Sequence, residues 1–168
     1  CNNFRGYIGR QINGGYAEYI SLPANNYIPI PQNINYKDEP LETAVICDAI
    51  ATPLKVIKKA RISSFDRVGV IGAGGGLGIH MIKMLHLNNI NAVAFDTKSN
   101  KEKACLTSGA SMFLNPLNNN IYENIKEFTK DEYLDVVIDF VSSKSTLELS
   151  LNVLGKGGRL VTLGGSGD

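Results

Sequence analysis

A glycine-rich turn at residues 72–78 is the stretch of this sequence with the clearest chemical use. It reads Gly-Ala-Gly-Gly-Gly-Leu-Gly and lies between an apolar run at 68–71 and a helical pattern that starts at 76. Glycines let the backbone turn sharply and approach a pyrophosphate, and a helix N-terminus adds free N–H donors and partial positive charge. We therefore predict that a dinucleotide binds here, on Gly72, Gly74, Gly75, Gly76, Leu77 and Gly78.

The spacing of these glycines departs from the strict G-x-G-x-x-G fingerprint. Counted from Gly72, the sixth position is Leu77. The pattern that fits is G-x-x-G-x-x-G, through Gly72, Gly75 and Gly78. A glycine run alone is weak evidence, because an ordinary tight turn uses the same residues.

An acidic residue, Asp96, ends the next apolar run, 18 residues beyond Gly78. The dinucleotide pattern expects an acidic residue about 20 residues beyond the glycines. A carboxylate there can accept both hydroxyls of the adenosine ribose and repels a 2′-phosphate, so it favours NAD over NADP. The competing interpretation is that Asp96 caps the helix predicted at 98–108.

Short apolar runs alternate with helical patterns through the second part of the chain. We predict strands at 68–71, 92–95, 112–114, 136–140 and 159–163, and helices at 76–87, 98–108, 121–129 and 145–154, the last ended by Gly155. This alternation predicts an α/β fold, a Rossmann doubly wound parallel sheet with helices on both faces.

The first part of the chain has a different character. Residues 1–40 are rich in Gly, Pro and Asn, with a strand predicted at 16–20 and extended backbone at 27–31. We predict one helix at 41–50 and a second at 53–60, with a break or kink at Pro53.

Composition bounds the class of protein. The formal net charge of +1 gives no basic face for nucleic acid. The sequence has no apolar run of bilayer length and no secretory leader, so we expect a cytoplasmic protein without a membrane partner. Three distant cysteines argue against a disulfide framework. Since the chain begins at Cys1 without Met and stops after an apolar strand, we expect it to be part of a longer protein.

Several segments together resemble the medium-chain, zinc-dependent alcohol dehydrogenase family, over essentially the whole chain. They are Gly-Gly-Tyr-Ala-Glu-Tyr at 14–19, Asp-x-x-x-Thr at 48–52, the glycine turn, Asp96 with Lys101, Asp-Val-Val-Ile-Asp at 135–139 and Gly-Gly-Arg-Leu-Val-Thr-Leu-Gly at 157–164. The resemblance implies that residues 1–44 end a β-rich, GroES-like substrate domain. It also implies that residues 45–168 form most of an NAD-binding Rossmann domain, truncated at its C-terminal end.

The resemblance also implies a catalytic zinc ligand at Asp48, four residues before Thr52 and 24 before Gly72. Cys47 is the alternative, because a thiolate is a natural zinc ligand. A shift of one residue, however, turns a helical side chain by about 100°. A third interpretation leaves both without metal, with Cys47 as a small buried hydrophobe and Asp48 paired with a base.

Three other residues bear on metal binding. Cys1 stands where the last ligand of the family's structural zinc would be, but the other three cysteines of such a site are not in this sequence. We therefore expect Cys1 to bind no metal by itself. His80 and His86 fall on the helix after the glycine turn and are expected to be surface or packing residues.

The activity implied is hydride transfer between NAD and an alcohol, aldehyde or ketone, with zinc as a Lewis acid, in a homo-oligomer. The resemblance assigns the adenosine ribose to Asp96 and Lys101, the adenine side to Val141, and the nicotinamide side to Thr52, Leu163 and Gly164. The 168-residue chain by itself is expected to be inactive. The alternatives are a zinc-free quinone or enoyl reductase, a non-catalytic dinucleotide-binding or assembly module, and a methyltransferase-type Rossmann domain.

Overall fold

The computed structural model describes residues 6–118 and 120–163. The chain divides into two compact units, residues 1–40 and 41–168. Two predicted site residues, Cys1 and Gly164, lie outside the described residues.

The first unit is made of loops, and none of its described residues is buried. Within residues 6–39, regular structure consists of an isolated bridge between Ile8 and Ile12 and a 3-10 turn at Ala24–Asn26. The strand predicted at 16–20 is wrong, because residues 16–18 form bends. A strand needs a neighbour for its N–H and C=O groups, and no described residue pairs with this segment.

A helical segment begins at Pro40, the last residue of the first unit, and contains the predicted metal position. It comprises α1 (Pro40–Val45), a π-helical turn (Ile46–Ile50) and α2 (Ala51–Lys59), which follow one another directly. The chain stays helical through Pro53, the third residue of α2, so the predicted break there is wrong. Proline has no N–H to donate to the carbonyl oxygen one turn earlier, at Ala49, and the helix is irregular in that turn, the π-helical turn that holds Asp48.

Five parallel strands form a single sheet in the order β3-β2-β1-β4-β5, which confirms the predicted α/β Rossmann-like fold. The strands are β1 (Arg67–Ile71), β2 (Asn91–Phe95), β3 (Met112–Leu114), β4 (Leu134–Asp139) and β5 (Leu154–Thr162). The helices between them are α3 (Gly76–Leu87), α4 (Glu102–Thr107), α5 (Ile121–Thr129) and α6 (Lys144–Val153).

Two apolar clusters cover the two faces of the sheet, since alternate residues of a strand point to opposite faces. Val68 and Val70 of β1 belong to the cluster that includes Met81 of α3. Ile71 belongs to the other cluster, with Ile125 of α5. Because the strands are covered on both faces, they read as almost continuous apolar runs, which is why the sequence predicted them well.

The end of α6 differs from the prediction. Gly155 was predicted to end this helix, but α6 ends at Val153 and Gly155 already belongs to β5. β5 pairs with β4 at Leu154 and again from Arg159, so the glycines between them occupy an irregular stretch of the strand. This pairing depends on β4, which is distant in sequence, and no local signal reports it.

Arg67 joins β1 to β4 at the end of the sheet away from the glycine turn. Its backbone N–H and its Nε both donate to Asp135 Oδ2, at 2.8 and 2.9 Å. Its Nη1 donates to the Thr129 carbonyl oxygen and to Glu132 Oε2. These hydrogen bonds from Arg67 lower the pKa of Asp135 below its ordinary value, against the opposing effect of burial.

This pair predicts a pH-dependent contribution to stability. Because the folded-state pKa of Asp135 is lowered, the contribution is present above the ordinary pKa of about 3.9 and is lost as the pH falls through the lowered value. We expect D135N to lower the free energy of unfolding by about 1 kcal/mol at pH 7, since partial solvent exposure screens the pair. Urea unfolding at pH 7 and in acid measures the difference.

E132Q is the matched control for that measurement. The Glu132 side chain is 72% exposed, so its ion pair with Arg67 is expected to contribute nothing measurable. A D135N variant that loses the same free energy at pH 7 and in acid, below the folded-state pKa, would contradict the assignment.

Candidate functional site

The glycine turn joins the end of β1 to the start of α3 and is tied to β2. Gly72 has φ +73°, in the left-handed region that glycine adopts without strain. The N–H groups of Gly72 and Ala73 both donate to the Phe95 carbonyl oxygen, at 3.0 and 3.1 Å. The Gly75 N–H then donates to the Gly72 carbonyl oxygen at 3.1 Å and closes the turn.

Close packing explains why glycine occurs at two further positions. A Cβ at Gly78 would lie 2.3 Å from the Gly72 carbonyl oxygen and 2.6 Å from Ala73 Cα, so α3 sits directly on the turn. A Cβ at Gly74 would lie 2.6 Å from Lys101 Cβ and 2.9 Å from Asp96 Oδ2. At Gly76, by contrast, a Cβ would meet nothing within 4 Å.

The start of α3 offers hydrogen-bond donors. The N–H groups of Gly76, Leu77 and Gly78 donate to no other residue in the described part of the chain. A helix leaves its first N–H groups without intrahelical partners, and its dipole favours an anion there. The turn therefore has the donors and the field that a diphosphate requires.

Asp96 lies against the same turn. Its Oδ2 accepts the N–H of Gly74 at 2.8 Å, and its Oδ1 accepts the N–H of Lys98 at 2.9 Å. The predicted helix at 98–108 is a 3-10 turn at Ser99–Lys101 followed by α4, and their N-cap residues are Lys98 and Lys101. The interpretation of Asp96 as a helix cap is therefore wrong.

Two adjoining cavities open along this edge of the sheet. The first, about 520 Å³, we call the phosphate groove. It is lined by Gly72, Gly74, Gly75, Gly76, Leu77, Gly78, Asp96, Lys98, Lys101, Phe140 and Val141. The second, about 630 Å³, shares Gly72, Asp96 and Val141 with the groove and reaches the space between α5 and α6. Both volumes fall in the range of small-molecule and cofactor sites.

Most of the predicted cofactor residues come together in the phosphate groove. These are the glycines, Leu77, Asp96, Lys101 and Val141. Lys98 and Phe140 are additions that the sequence analysis missed, although Lys98 follows Asp96 by two positions and could have been considered. Leu163 directly follows β5 and is half-buried. It is not among the described residues that line either cavity.

The predicted metal position contains a local hydrogen bond. Thr52 Oγ1 donates to Asp48 Oδ1 at 3.0 Å, one helical turn away. Cys47 is exposed, so its interpretation as a buried hydrophobe is wrong. Asp48 is also exposed and accepts from this hydroxyl.

The described residues do not by themselves form a zinc site. Residues 6–118 and 120–163 contain no group of three His, Cys, Asp or Glu side chains that could share a metal ion. A catalytic zinc takes three protein ligands, whereas Asp48 offers one carboxylate. His80 and His86 both lie on α3, and His80 Nδ1 is 2.7 Å from the Gly76 carbonyl oxygen, in a local helical contact.

No helix in the part of the chain that the structure describes has the length and apolar character to cross a membrane.

The order of the five parallel strands and the glycine turn after β1 are those of a Rossmann-like α/β domain. The sequence model of the zinc-binding dehydrogenase family matches residues 76–168, more than half of the chain. The chain therefore belongs to that family, the medium-chain zinc-dependent dehydrogenases, within a superfamily of oxidoreductases.

Relatives within the family include more than one kind of oxidoreductase. The chain is 27% identical over 165 residues to an NAD-dependent alcohol dehydrogenase of Sulfurisphaera tokodaii, covering 98% of this chain and 46% of that protein. It is 23% identical over 163 residues to a quinone oxidoreductase of Pongo abelii, covering 97% and 48%. The chain thus spans about half the length of the curated relatives it matches.

A solved structure agrees with this fold. The crystal structure of the alcohol dehydrogenase of Aeropyrum pernix superposes with a TM-score of 0.85 at 28% identity. The match covers 97% of this chain and 47% of that one.

Proposed function

We propose that this chain is the NAD-binding part of an alcohol dehydrogenase-like oxidoreductase that acts on an alcohol, aldehyde or ketone. The observation that carries the proposal is the Asp96 carboxylate, hydrogen-bonded to the Gly74 N–H at the rim of the phosphate groove. A carboxylate fixed beside free helix N–H groups offers a ribose acceptor and a diphosphate site in one cavity.

Each part of the groove has a defined role in the proposal. The N–H groups of Gly76, Leu77 and Gly78 hold the diphosphate, and the ammonium group of Lys98 offsets its charge. Lys101 holds the adenosine ribose together with Asp96. Val141 forms the wall that the groove shares with the adjoining cavity, which takes the adenine. When bound, NAD supplies the nicotinamide carbon that accepts or gives the hydride, and the protein fixes its position.

Asp96 determines the choice between NAD and NADP. Each of its oxygens accepts one backbone N–H, from Gly74 or Lys98, and keeps further lone pairs for the ribose hydroxyls. Because both oxygens are held, the carboxylate cannot turn away from a 2′-phosphate, and the like charges repel each other.

Asp48 has a separate role that depends on ligands outside this chain. We propose that in a longer protein it gives one zinc ligand, with Cys47 as the less favoured candidate. The Thr52 hydroxyl holds Oδ1, so Oδ2 remains for a metal. It remains a prediction that Thr52 contacts the nicotinamide. A homo-oligomeric state and a cytoplasmic location of the longer protein also remain predictions.

Titration with NADH tests the proposed function. We expect the fluorescence of NADH to rise saturably with added chain, since the nicotinamide leaves bulk water. AMP should compete, because it occupies the adenosine end of the same site. Fluorescence that does not saturate, or that AMP leaves unchanged, would contradict the proposal.

A zinc-free quinone or enoyl reductase is the second candidate, favoured by the similarity to a quinone oxidoreductase over 97% of this chain. This interpretation implies NADPH as the cofactor. Tighter binding of NADPH than of NADH would favour it over the first, whereas Asp96 predicts the opposite order.

A further inference from the structure

Asp139 is a fully buried carboxylate at the end of β4 to which the proposed mechanism gives no role. It pairs with Ile71 of β1 and Thr162 of β5, and it is 0% exposed. Its Oδ1 accepts two backbone N–H groups, from Val141 at 2.8 Å and Ser142 at 2.9 Å. Its Oδ2 accepts no hydrogen bond within the described residues.

The loop that Asp139 holds contains a strained residue. Ser142 has φ +56°, in the left-handed region that residues with a Cβ seldom adopt. Its N–H donates to Asp139 Oδ1, and its hydroxyl donates to the Asp139 carbonyl oxygen at 3.4 Å. Such a conformation persists where the surroundings over-determine it, and here Asp139 holds Ser142 through both its side chain and its main chain.

Val141, between these two residues, belongs to both cavities. Its Cγ2 lies 3.0 Å from the position that a Cβ on Gly72 would take, so it closes over the start of the glycine turn. The residue is nevertheless 45% exposed, so packing does little to fix its side chain. Its position follows from the backbone, through the bond from its N–H to Asp139 and the bond from the Phe140 N–H to the Ile71 carbonyl oxygen at 3.2 Å.

We propose that Asp139 is a positioning residue for the cofactor: it keeps the 140–143 loop turned at Ser142, so that Val141 forms the wall shared by the two cavities. The inference rests on the proposed function, since it concerns the site that NAD would occupy. Asp139 itself lines neither of the two cavities and acts through Val141, which lines both.

Stability and cofactor affinity have to be measured separately in variants of Asp139. Removal of the carboxylate leaves the N–H groups of Val141 and Ser142 without their acceptor, which lowers stability, although it also removes the buried Oδ2 that has no partner among the described residues. The loop then loses the acceptor that holds Ser142 in its strained conformation, and NADH affinity reports this loss.

The test compares NADH affinity and thermal midpoint in variants of the full 168-residue chain. We expect D139A to weaken NADH binding about tenfold, since the strained turn is released. D139N keeps an oxygen at the Oδ1 position and should bind within about twofold of the wild type. D139A with S142G should recover most of the affinity, because glycine adopts a positive φ without strain.

D135N is the matched control, since Asp135 is a carboxylate at the opposite end of β4 that also accepts a backbone N–H. It should lower the thermal midpoint and leave NADH affinity unchanged. If D139A does not fold, the comparison of S142V with S142G tests the role of Asp139 instead. Valine is β-branched and disfavours a positive φ, so S142V should weaken NADH binding about tenfold. Glycine adopts a positive φ without strain, so S142G should not weaken binding.

The outcomes separate this inference from the proposed function. NADH binding that D139A leaves unchanged, or a loss that S142G does not reverse, overturns the role of Asp139 alone. In the comparison of S142V with S142G, equal affinities for NADH overturn the role of Asp139. A wild-type chain that binds no NADH contradicts the proposed function, and the role of Asp139 falls with it.

Discussion

Replacement of Gly78 by alanine is expected to abolish NADH binding and to lower the free energy of unfolding by about 3 kcal/mol. The added Cβ would lie 2.3 Å from the Gly72 carbonyl oxygen, well inside van der Waals contact. The turn has little freedom to yield, because the Gly72 and Ala73 N–H groups are both bound to the Phe95 carbonyl oxygen. Urea unfolding and NADH fluorescence measure the two effects.

Gly76→Ala is the matched control for stability. It lies two positions earlier in the same helix, and its Cβ would meet no atom within 4 Å. Alanine favours the helix over glycine, so the free energy of unfolding should stay equal or rise by about 0.5 kcal/mol. If G78A is as stable as G76A, the close approach of α3 to the turn is wrong.

Replacement of Asp96 by alanine is expected to weaken NADH binding by about 10- to 100-fold, because hydrogen bonds to a charged group are lost. Binding of NADPH should weaken much less, since the charge that opposes its 2′-phosphate is removed as well. The preference for NADH should therefore disappear. Parallel titrations with the two cofactors measure this preference as a ratio of dissociation constants.

Two variants accompany Asp96→Ala. D96N keeps the shape of the side chain and one oxygen that can accept the Gly74 N–H, but it removes the negative charge. Comparison with Asp96→Ala therefore separates the effect of the charge from the effect of the hydrogen bond to Gly74. E102Q removes a carboxylate on α4 that lies outside both cavities and should leave the ratio unchanged. An Asp96→Ala chain that binds NADH like the wild type would show that the ribose assignment is wrong.

The sheet and most residues that line the phosphate groove could be predicted from the sequence because their signals are local. β1, β2 and β4 are apolar runs covered on both faces, and the glycine turn follows the first of them. Asp96 was found by its distance from the glycines. The sequence did not predict that Asp96 accepts the Gly74 N–H, because that hydrogen bond depends on how the loops after β1 and β2 meet.

The errors arose where a local pattern depends on contacts elsewhere in the fold. Pro53 looked like a helix break, but the chain stays helical there and the irregularity falls in the preceding turn, at Ile46–Ile50. Gly155 looked like a helix end, but pairing with β4 takes the chain into β5. At residues 16–20 the alternation was that of a strand, yet no described segment pairs with it.

Asp139 shows most clearly what the sequence could not reveal. It appeared as a strand residue in an apolar run, and nothing nearby indicated a buried carboxylate with one unpartnered oxygen. Its burial follows from the order of the sheet, which places β4 between β1 and β5. Its hydrogen bonds to Val141 and Ser142 then link that sheet position to the rim of the proposed site.

Backbone amide chemical-shift mapping of the chain with NADH tests most directly the claim that the glycine turn and Asp96 form the cofactor site. We predict saturable shifts at Gly74, Gly76, Gly78, Asp96 and Val141. We predict none at Asp135 of β4 or Thr129 of α5, which both contact Arg67 at the end of the sheet away from the glycine turn. Shifts confined to other residues, or none at saturating NADH, would contradict the account.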